Sequence, residues 1–292
     1  MVRKSKSDDI NYVVGLATCA EVPELDEDGP ALLAALRARG VRGIPAVWDS
    51  PAVDWERFDL VVVRSAWDYA ERRAEFLAWA ERLPRVLNPL PVLRWSTDKR
   101  YLAELEAAGV PVVPTRFLEP GEPFEPPAGR FVVKPVFSAG GRSSARYEPE
   151  SAATAAAHVA ELHAEGRAAM VQPHVDGVET AGEIALIFLG GAYSHAVRKR
   201  VSLRQGQASS PELYLEEAVE AAEPTAADLA AAEAAIAAAP FDEELLYARL
   251  DLVHDPDPFV LELELAEPSL YLGYADGAAE RLAQVIAGAL GG

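Results

Sequence analysis

The stretch YARLDLVHDPDPFVLELELAEPSL, residues 247–270, predicts a β-hairpin with strands over 246–253 and 259–265. Side chains alternate between the two faces of a strand, so Glu262 and Glu264 share one face. The opposite face is expected to hold the leucines of the same strand, Leu261, Leu263 and Leu265. This alternation predicts an antiparallel element with one apolar face and one acidic face.

The register of this hairpin decides which charges meet. A turn centred just after Pro256 places Asp251 opposite Glu262. The same register places Arg249 opposite Glu264. The carboxylates then crowd one patch, where like charges repel unless a cation holds them together. Oxygen ligands suit a hard ion, so the patch predicts a site for Mg²⁺ or Mn²⁺. The alternative is a solvated strand face in an acidic protein.

The overall composition limits the classes of function. The chain has 292 residues, of which 50% are hydrophobic, and this length suggests roughly two or three domains. With 46 acidic and 27 basic residues the net charge is −19, which argues against nucleic acid or a membrane surface as a partner. Cys19 is the single cysteine, so no intrachain disulfide can form. We expect a cytoplasmic protein, with a homodimer as one option.

The first third of the chain alternates strand and helix patterns. Strands are predicted over 12–18, 41–48 and 60–64, and helices over 30–39 and 71–82. This order is typical of a small parallel sheet covered by helices, which is a Rossmann-like α/β arrangement.

Three polar residues are candidate substrate contacts. Arg64 ends a buried strand, where open α/β sheets place their ligands, and Asp68 follows shortly after it. The alternative for Arg64 is a surface arginine in an ion pair. Arg204, and with it Gln207, lies in a polar loop after a basic strand and is a further candidate.

Phosphate-binding features occur in the middle of the chain. Lys134 ends the apolar strand FVVK, and the run SAGGRSS follows at 138–144. Backbone N–H groups of small residues can cradle an anion, and a nearby lysine can hold the same phosphates. A flexible turn is the alternative for this run, since it matches no Walker A loop. Lys199 lies in the basic cluster RKR and can reach a phosphate, although an exposed charge run is the commoner case.

Taken in order, these features resemble the ATP-grasp superfamily. The matching segments are TDKRYL around Lys99, FVVKP around Lys134, SAGGRSS, VQPHV at 171–175, GEIALIF at 182–188, YARLD at 247–251 and LELELAEP at 261–268. The resemblance implies an α/β (α+β) ATP-grasp fold preceded by a Rossmann-like parallel-sheet domain. The expected domains are a pre-grasp domain over 1–97, a small lid domain over 98–175 and a C-terminal domain with the metal site over 176–292.

The resemblance also implies roles for individual residues. The lysines would contact the phosphates of ATP, 138–144 would form a lid, 172–175 a hinge that reads adenine, and Glu183 would hold the ribose. The implied nucleotide-binding residues are Lys99, Lys134, Ser138, Gly140, Gly141, Gln172, Pro173, His174, Val175 and Glu183. The implied magnesium ligands are Asp251, Glu262 and Glu264, and the implied catalytic cations are Lys199 and Arg249. Many relatives have Asn where this chain has Glu264, so the metal preference could differ.

Several segments are most similar to the cyclo-ligases that close O-ureido-D-serine to D-cycloserine. They are LATCAEVPELDEDG at 16–29, WDSPAVDW at 48–55, VVRSAWDY at 62–69, SHAVRK at 194–199 and ELELAEP at 262–268. The implied chemistry passes the γ-phosphoryl group of ATP to a carboxylate, and a nitrogen then attacks the acyl phosphate. Ring closure releases carbon dioxide and ammonia from the ureido group. The rival hypotheses are an intermolecular amino-acid or peptide ligase and a non-catalytic nucleotide-binding module.

Overall fold

The computed structural model describes residues 12–200 and 218–291, and their strands form three separate sheets. The sheets fall within 12–87, 116–173 and 183–264. The predicted domain boundaries near residues 97 and 175 lie between these sheets, and they stay predictions. Arg204 and Gln207 lie outside the described residues.

The early part of the chain forms a parallel sheet with helices on its faces. Its strands are β1 (Tyr12–Thr18), β2 (Val41–Val47), β3 (Leu60–Ser65) and β4 (Val86–Leu87), and its helices are α1 (Gly29–Ala38) and α2 (Arg73–Glu81). The strands run in the order β2-β1-β3-β4. Strand β3 is buried along its whole length, which explains its continuous apolar sequence. The predicted Rossmann-like sheet is confirmed.

The middle of the chain forms a small antiparallel sheet. Two helices lead into it, α3 (Leu90–Ser96) and α4 (Tyr101–Ala107). The strands are β5 (Arg116–Leu118), β6 (Phe131–Pro135), β7 (Ala145–Tyr147) and β8 (Ala169–Pro173), with helix α5 (Ala152–Ala164) between the last two. They lie in the order β5-β8-β6-β7, and Val159 and Leu162 of α5 pack on Phe131 in the core of this sheet.

The C-terminal part forms the largest sheet, which is antiparallel throughout. Its elements are α6 (Gly177–Thr180), β9 (Glu183–Leu189), β10 (Ala192–Arg200), β11 (Ala218–Ala222), α7 (Ala226–Ala237), β12 (Tyr247–Asp255), β13 (Asp257–Glu264) and α8 (Ala278–Gly291). The strand order is β11-β10-β9-β12-β13. Central strand β9 is buried at every residue, and α8 packs against α1 of the early sheet.

Short 3₁₀ helices complete the described secondary structure. They cover Trp55–Arg57, Trp67–Glu71, Pro149–Ser151 and Leu272–Tyr274. The helix expected over 71–82 therefore begins later than predicted, since a 3₁₀ turn precedes α2. Within the described ranges, no helix has both the length and the apolar character that crossing a bilayer requires.

The hairpin of β12 and β13 keeps the predicted pairing although its turn differs. Arg249 pairs with Glu264, and Asp251 pairs with Glu262. The turn is centred on Pro256, since Asp255 and Asp257 are opposite each other. A β-bulge following Asp251 absorbs the difference of one residue and restores the expected register at the acidic patch.

The bulge changes the face on which one leucine lies. Leu252 pairs with Val260, so Leu261 is the extra residue of β13. Val260 and Leu263 are buried in the core of the sheet, whereas Leu261 lines a cavity on the other side. The expectation that Leu261 shares the face of Leu263 and Leu265 is therefore wrong.

A buried amide joins the early sheet to the C-terminal sheet. Asn88 is 0% exposed, and its Nδ2 donates to the carbonyls of Tyr247 at 2.9 Å and Leu265 at 2.7 Å. Its Oδ1 accepts the amide of Leu246 at 2.7 Å. The side chain thus satisfies backbone groups of the loop before β12 and of the residue after β13, so it fixes the hairpin against the early domain.

We predict that Asn88→Ala lowers the free energy of unfolding by about 3–5 kcal/mol, because it leaves buried backbone groups without partners. Chemical denaturation measures this change. Gln284→Ala, at an exposed position of α8, is the control and should change stability by less than about 0.5 kcal/mol. Equal stability of the two variants would contradict the role given to Asn88.

Candidate active site

Two cavities lie along the β12–β13 hairpin. The first, here called the acidic cavity, measures about 400 Å³ and lies between the early sheet and the hairpin. Its charged lining residues are Asp26, Glu27, Asp28, Arg249, Glu264 and Glu267. The second, the hinge cavity, measures about 450 Å³ and lies between the small sheet and the large one. Its lining includes Lys134, Gln172, Pro173, His174, Val175, Glu183 and Leu261.

Asp251 is the centre of the charged groups between these cavities. It is 2% exposed, and the guanidinium of Arg249 donates a hydrogen bond to each of its oxygens, both at 3.0 Å. The Lys199 ammonium donates to Asp251 Oδ2 at 2.6 Å. Burial opposes ionisation, but Arg249 and Lys199 outweigh it and lower the pKa of Asp251 to about 2. Asp251 is therefore ionised at neutral pH.

The ion pairs continue from Asp251 in both directions. Lys199 also contacts Glu183 at 3.1 Å, and Glu183 lines the hinge cavity. Burial acts to lower the pKa of Lys199, but Asp251 and Glu183 raise it well above its ordinary value. On the other side Arg249 contacts Glu264, and both line the acidic cavity. A continuous chain of charges thus connects the two cavities.

Lys99 and Glu262 form a separate ion pair beside this chain. Lys99 lies two residues before α4, and its backbone N–H donates to the carbonyl of Val136 next to β6. Burial lowers the pKa of Lys99, although neighbouring carboxylates such as Glu264 oppose the shift. The predicted cation of the TDKRYL segment therefore lies at the same acidic patch as the hairpin carboxylates.

Lys134 differs from the other predicted cations because its ammonium group makes no hydrogen bond or ion pair with any residue that the structure describes. Burial lowers its pKa to about 8, partly offset by the charge of Glu183. It ends β6 and lines the hinge cavity. A half-buried ammonium without a partner is a group that an anionic ligand would stabilise.

The glycine-rich run adopts a left-handed backbone at two successive residues. Gly140 has φ 61° and Gly141 has φ 70°, which glycine tolerates without a steric penalty. Gly140 lines the acidic cavity, and Ser138 is buried. Arg142 contacts Glu71 at 2.7 Å, which joins the loop to the 3₁₀ helix Trp67–Glu71.

The hinge predicted at 172–175 lines the hinge cavity along its whole length. Gln172 is buried and donates to Thr115 Oγ1 at 2.9 Å, which holds β8 against the segment before β5. The amide of His174 donates to the carbonyl of Arg130 at 2.8 Å. Glu179 also lines this cavity but is paired with Arg130 and Arg146.

The hairpin carboxylates do not form a ready-made metal cage. Among the described residues, no group of three or more His, Cys, Asp or Glu side chains is arranged to hold an ion by itself. Glu264 nevertheless keeps Oε2 buried, beside Arg249 but without a hydrogen bond. Magnesium commonly uses one or two carboxylates together with phosphate oxygens, so Glu262 and Glu264 fit an ion that arrives with a nucleotide, whereas Asp251 would first have to give up contacts with Arg249 and Lys199. The metal role of Asp251, Glu262 and Glu264 stays a prediction.

Glu267 is a buried site residue that sequence reasoning missed. It lines the acidic cavity, and its carbonyl accepts the indole N–H of Trp67 at 3.0 Å. Burial, together with the charge of Glu264, raises the pKa of Glu267 to about 8. Glu267 belongs to the segment LELELAEP that resembles the superfamily, and this was the one indication of a role in the site. Because it lies beyond the end of β13, the alternation of strand side chains could not predict which way it points.

The structure places the two described substrate candidates outside the linings of both cavities. Arg64 is buried and donates to the carbonyl of Pro268 at 3.3 Å, with Asp26 and Asp28 each at 3.7 Å. It therefore lies behind the wall of the acidic cavity. Asp68 accepts the indole N–H of Trp48 at 2.7 Å and pairs with Arg72. Substrate contact by either residue stays a prediction.

Comparison with known proteins agrees with this architecture. A family model described as the D-cycloserine synthetase DcsG N-terminal domain matches residues 14–88. The cycloserine biosynthesis protein DcsG of Streptomyces lavendulae is 41% identical over 292 residues, covering 94% of this chain and 98% of that protein. The crystal structure of D-cycloserine synthetase DcsG superposes with a TM-score of 0.86 at 39% identity, covering 95% of this chain and 99% of that one.

A more distant neighbour shares the fold alone. D-alanine–D-alanine ligase from Bacillus anthracis, solved in complex with ATP, superposes with a TM-score of 0.67 at 17% identity. The alignment covers 96% of this chain and 97% of that one, so the similarity includes all three sheets. The chain therefore has the ATP-grasp fold and belongs to the D-cycloserine synthetase family of ATP-dependent ligases.

Proposed function

We propose that this protein uses ATP to activate the carboxylate of O-ureido-D-serine and closes the molecule to D-cycloserine. The observation that supports this most directly is the chain of buried charges through Asp251, which connects the hinge cavity with the acidic cavity. A phosphoryl group passing from a nucleotide in one cavity to a carboxylate in the other would remain beside fixed cations. The similarity of the whole chain to D-cycloserine synthetase supports the choice of substrate.

The hinge cavity is the proposed nucleotide site. Backbone groups of 172–175 and the side chain of Leu261 would enclose the base, and Glu183 would accept hydrogen bonds from the ribose. Lys134 and Lys99 would hold the phosphates. Bound magnesium would neutralise phosphate charge, with Asp251, Glu262 and Glu264 as the residues that hold it.

The acidic cavity is the proposed carboxylate site. Arg249 lies in its wall and would neutralise the charge of the transferring phosphate together with Lys199. Ala139 and Gly140 line the cavity, and the loop at 138–144 would close over it and exclude water from the acyl phosphate before the nitrogen attacks. The chemistry requires positioned charges rather than a protein nucleophile, so Cys19, which is buried, has no part in it.

We predict that Glu262→Gln lowers kcat by about 100-fold or more, because removing a carboxylate beside Lys99 weakens the hold on phosphate-bound magnesium. Coupled detection of ADP release measures the rate, and the melting temperature should change little. Glu220→Gln removes an exposed carboxylate from β11 of the same sheet and is the matched control. Near-normal turnover by the first variant would contradict the metal assignment.

We predict that Lys134→Met raises the Kd for ATP by about 10- to 100-fold, since a charge-assisted contact with phosphate is lost. Titration calorimetry with magnesium and a non-hydrolysable ATP analogue measures the change. Arg167→Met removes a cation that pairs with Glu165 away from both cavities, and it should bind the analogue normally. Unchanged affinity in the Lys134 variant would exclude this residue from the nucleotide site.

Incubation with O-ureido-D-serine, ATP and magnesium should release one ADP for each D-cycloserine formed, as mass spectrometry and ADP detection would show. An absolute need for a second amino acid would support the intermolecular ligase instead. Binding of ATP without turnover of any carboxylate would support the non-catalytic module. Mn²⁺ as the metal, the substrate contact of Arg204, the homodimer and the cytoplasmic location stay predictions from the sequence.

A further inference from the structure

The acidic cavity carries more negative than positive charge. Among its described lining residues, Arg249 is the single cation, and it is already paired with Asp251 and Glu264. The carboxylates around it include Asp26, Glu27 and Asp28 from the loop before α1. Such a cavity repels a ligand whose only charge is a carboxylate, and it attracts one that also carries an ammonium group.

Most of these carboxylates already have a partner or a different role. Asp28 accepts the backbone amides of Leu270 at 2.9 Å and Leu272 at 2.6 Å, so it holds the loop after β13. Glu264 lies against Arg249. Glu27 is exposed at the cavity mouth and is free to be hydrated.

Asp26 is the exception. Its side chain is 7% exposed, and Oδ1 is buried without a hydrogen-bond partner among the described residues. Its other oxygen lies 3.7 Å from Arg64, a distance too long for a hydrogen bond. Burial raises the pKa of Asp26, although Arg64 opposes the shift. An unpartnered carboxylate oxygen in the wall of a cavity lacks a donor that a ligand can supply.

We propose that Asp26 accepts the ammonium group of an amino-acid substrate and thereby selects it over the same acid without the amine. The inference rests on the proposed function in one respect, since it takes the acidic cavity as the substrate site. Asp26 and Arg249 line the same cavity, so one ligand can present its ammonium to the first and its carboxylate to the second. Arg64 then positions Asp26 from behind the wall.

The test is a binding comparison by titration calorimetry in the presence of magnesium and ADP. The probes are O-ureido-D-serine and its deamino analogue, ureidooxypropanoate. The wild-type protein should bind the amine about 10- to 100-fold more tightly, because one charge-assisted hydrogen bond to a buried carboxylate distinguishes the two. Asp26→Asn should bind both probes with similar affinity. Glu27→Gln removes the same charge from the neighbouring exposed position and should keep the preference.

The ratio of the two affinities is independent of any general loss of binding in a variant. If Asp26→Asn does not fold, as its melting curve would show, Asp26→Ser replaces it. Three results would overturn the proposal. The Asp26 variants could keep the preference for the amine, Glu27→Gln could lose it to the same extent as they do, or the wild-type protein could show no preference. Product formation is assayed separately, so a preference for the amine without D-cycloserine formation would count against the proposed function alone.

Discussion

The buried contact of Asp251 with Arg249 and Lys199 is the interaction on which the site depends. A carboxylate that is 2% exposed can remain ionised only because two cations hold it, and each cation would be costly to bury alone. The three side chains come from β10 and β12, on either side of the central strand β9. Because each of the three buried charges needs the others, their contacts hold β10 and β12 in place between the two cavities.

The same groups serve the fold and the proposed chemistry. Glu183, Lys199, Asp251, Arg249 and Glu264 alternate in charge from one cavity to the other, so each group has an oppositely charged neighbour before any ligand arrives. Charges held in this way need little rearrangement when a phosphoryl group passes between the cavities, which is how preorganised sites stabilise a transition state. Lys134 and Asp26 stand apart: the Lys134 ammonium has no hydrogen bond or ion pair within the described structure, and Asp26 Oδ1 has no hydrogen-bond partner there.

Much of the fold could be predicted from local patterns. The continuous apolar run of β3 and the alternation of strands and helices in the first third predicted the early parallel sheet. Alternation along β13 predicted which acids share a face and the partners of Asp251 and Arg249. The ordered motifs predicted the ATP-grasp fold, because each carries a local sequence signature. The bulge that moves Leu261 into the hinge cavity has no local sequence signature, since a bulge depends on how two strands fit together.

What the sequence determined by itself was the set of strands and helices, the acidic face of the hairpin and the superfamily, because these follow from periodicity and short motifs. The tertiary structure alone decided which charges are buried and which partners they find. Arg64 lies behind the cavity wall and Glu267 within it, although both are polar residues near the end of a strand. Asp26 and Asp28 are two residues apart, yet Asp28 receives backbone N–H groups from a loop more than 200 residues away along the chain. Burial and partnership of this kind arise from long-range packing, which no local pattern records.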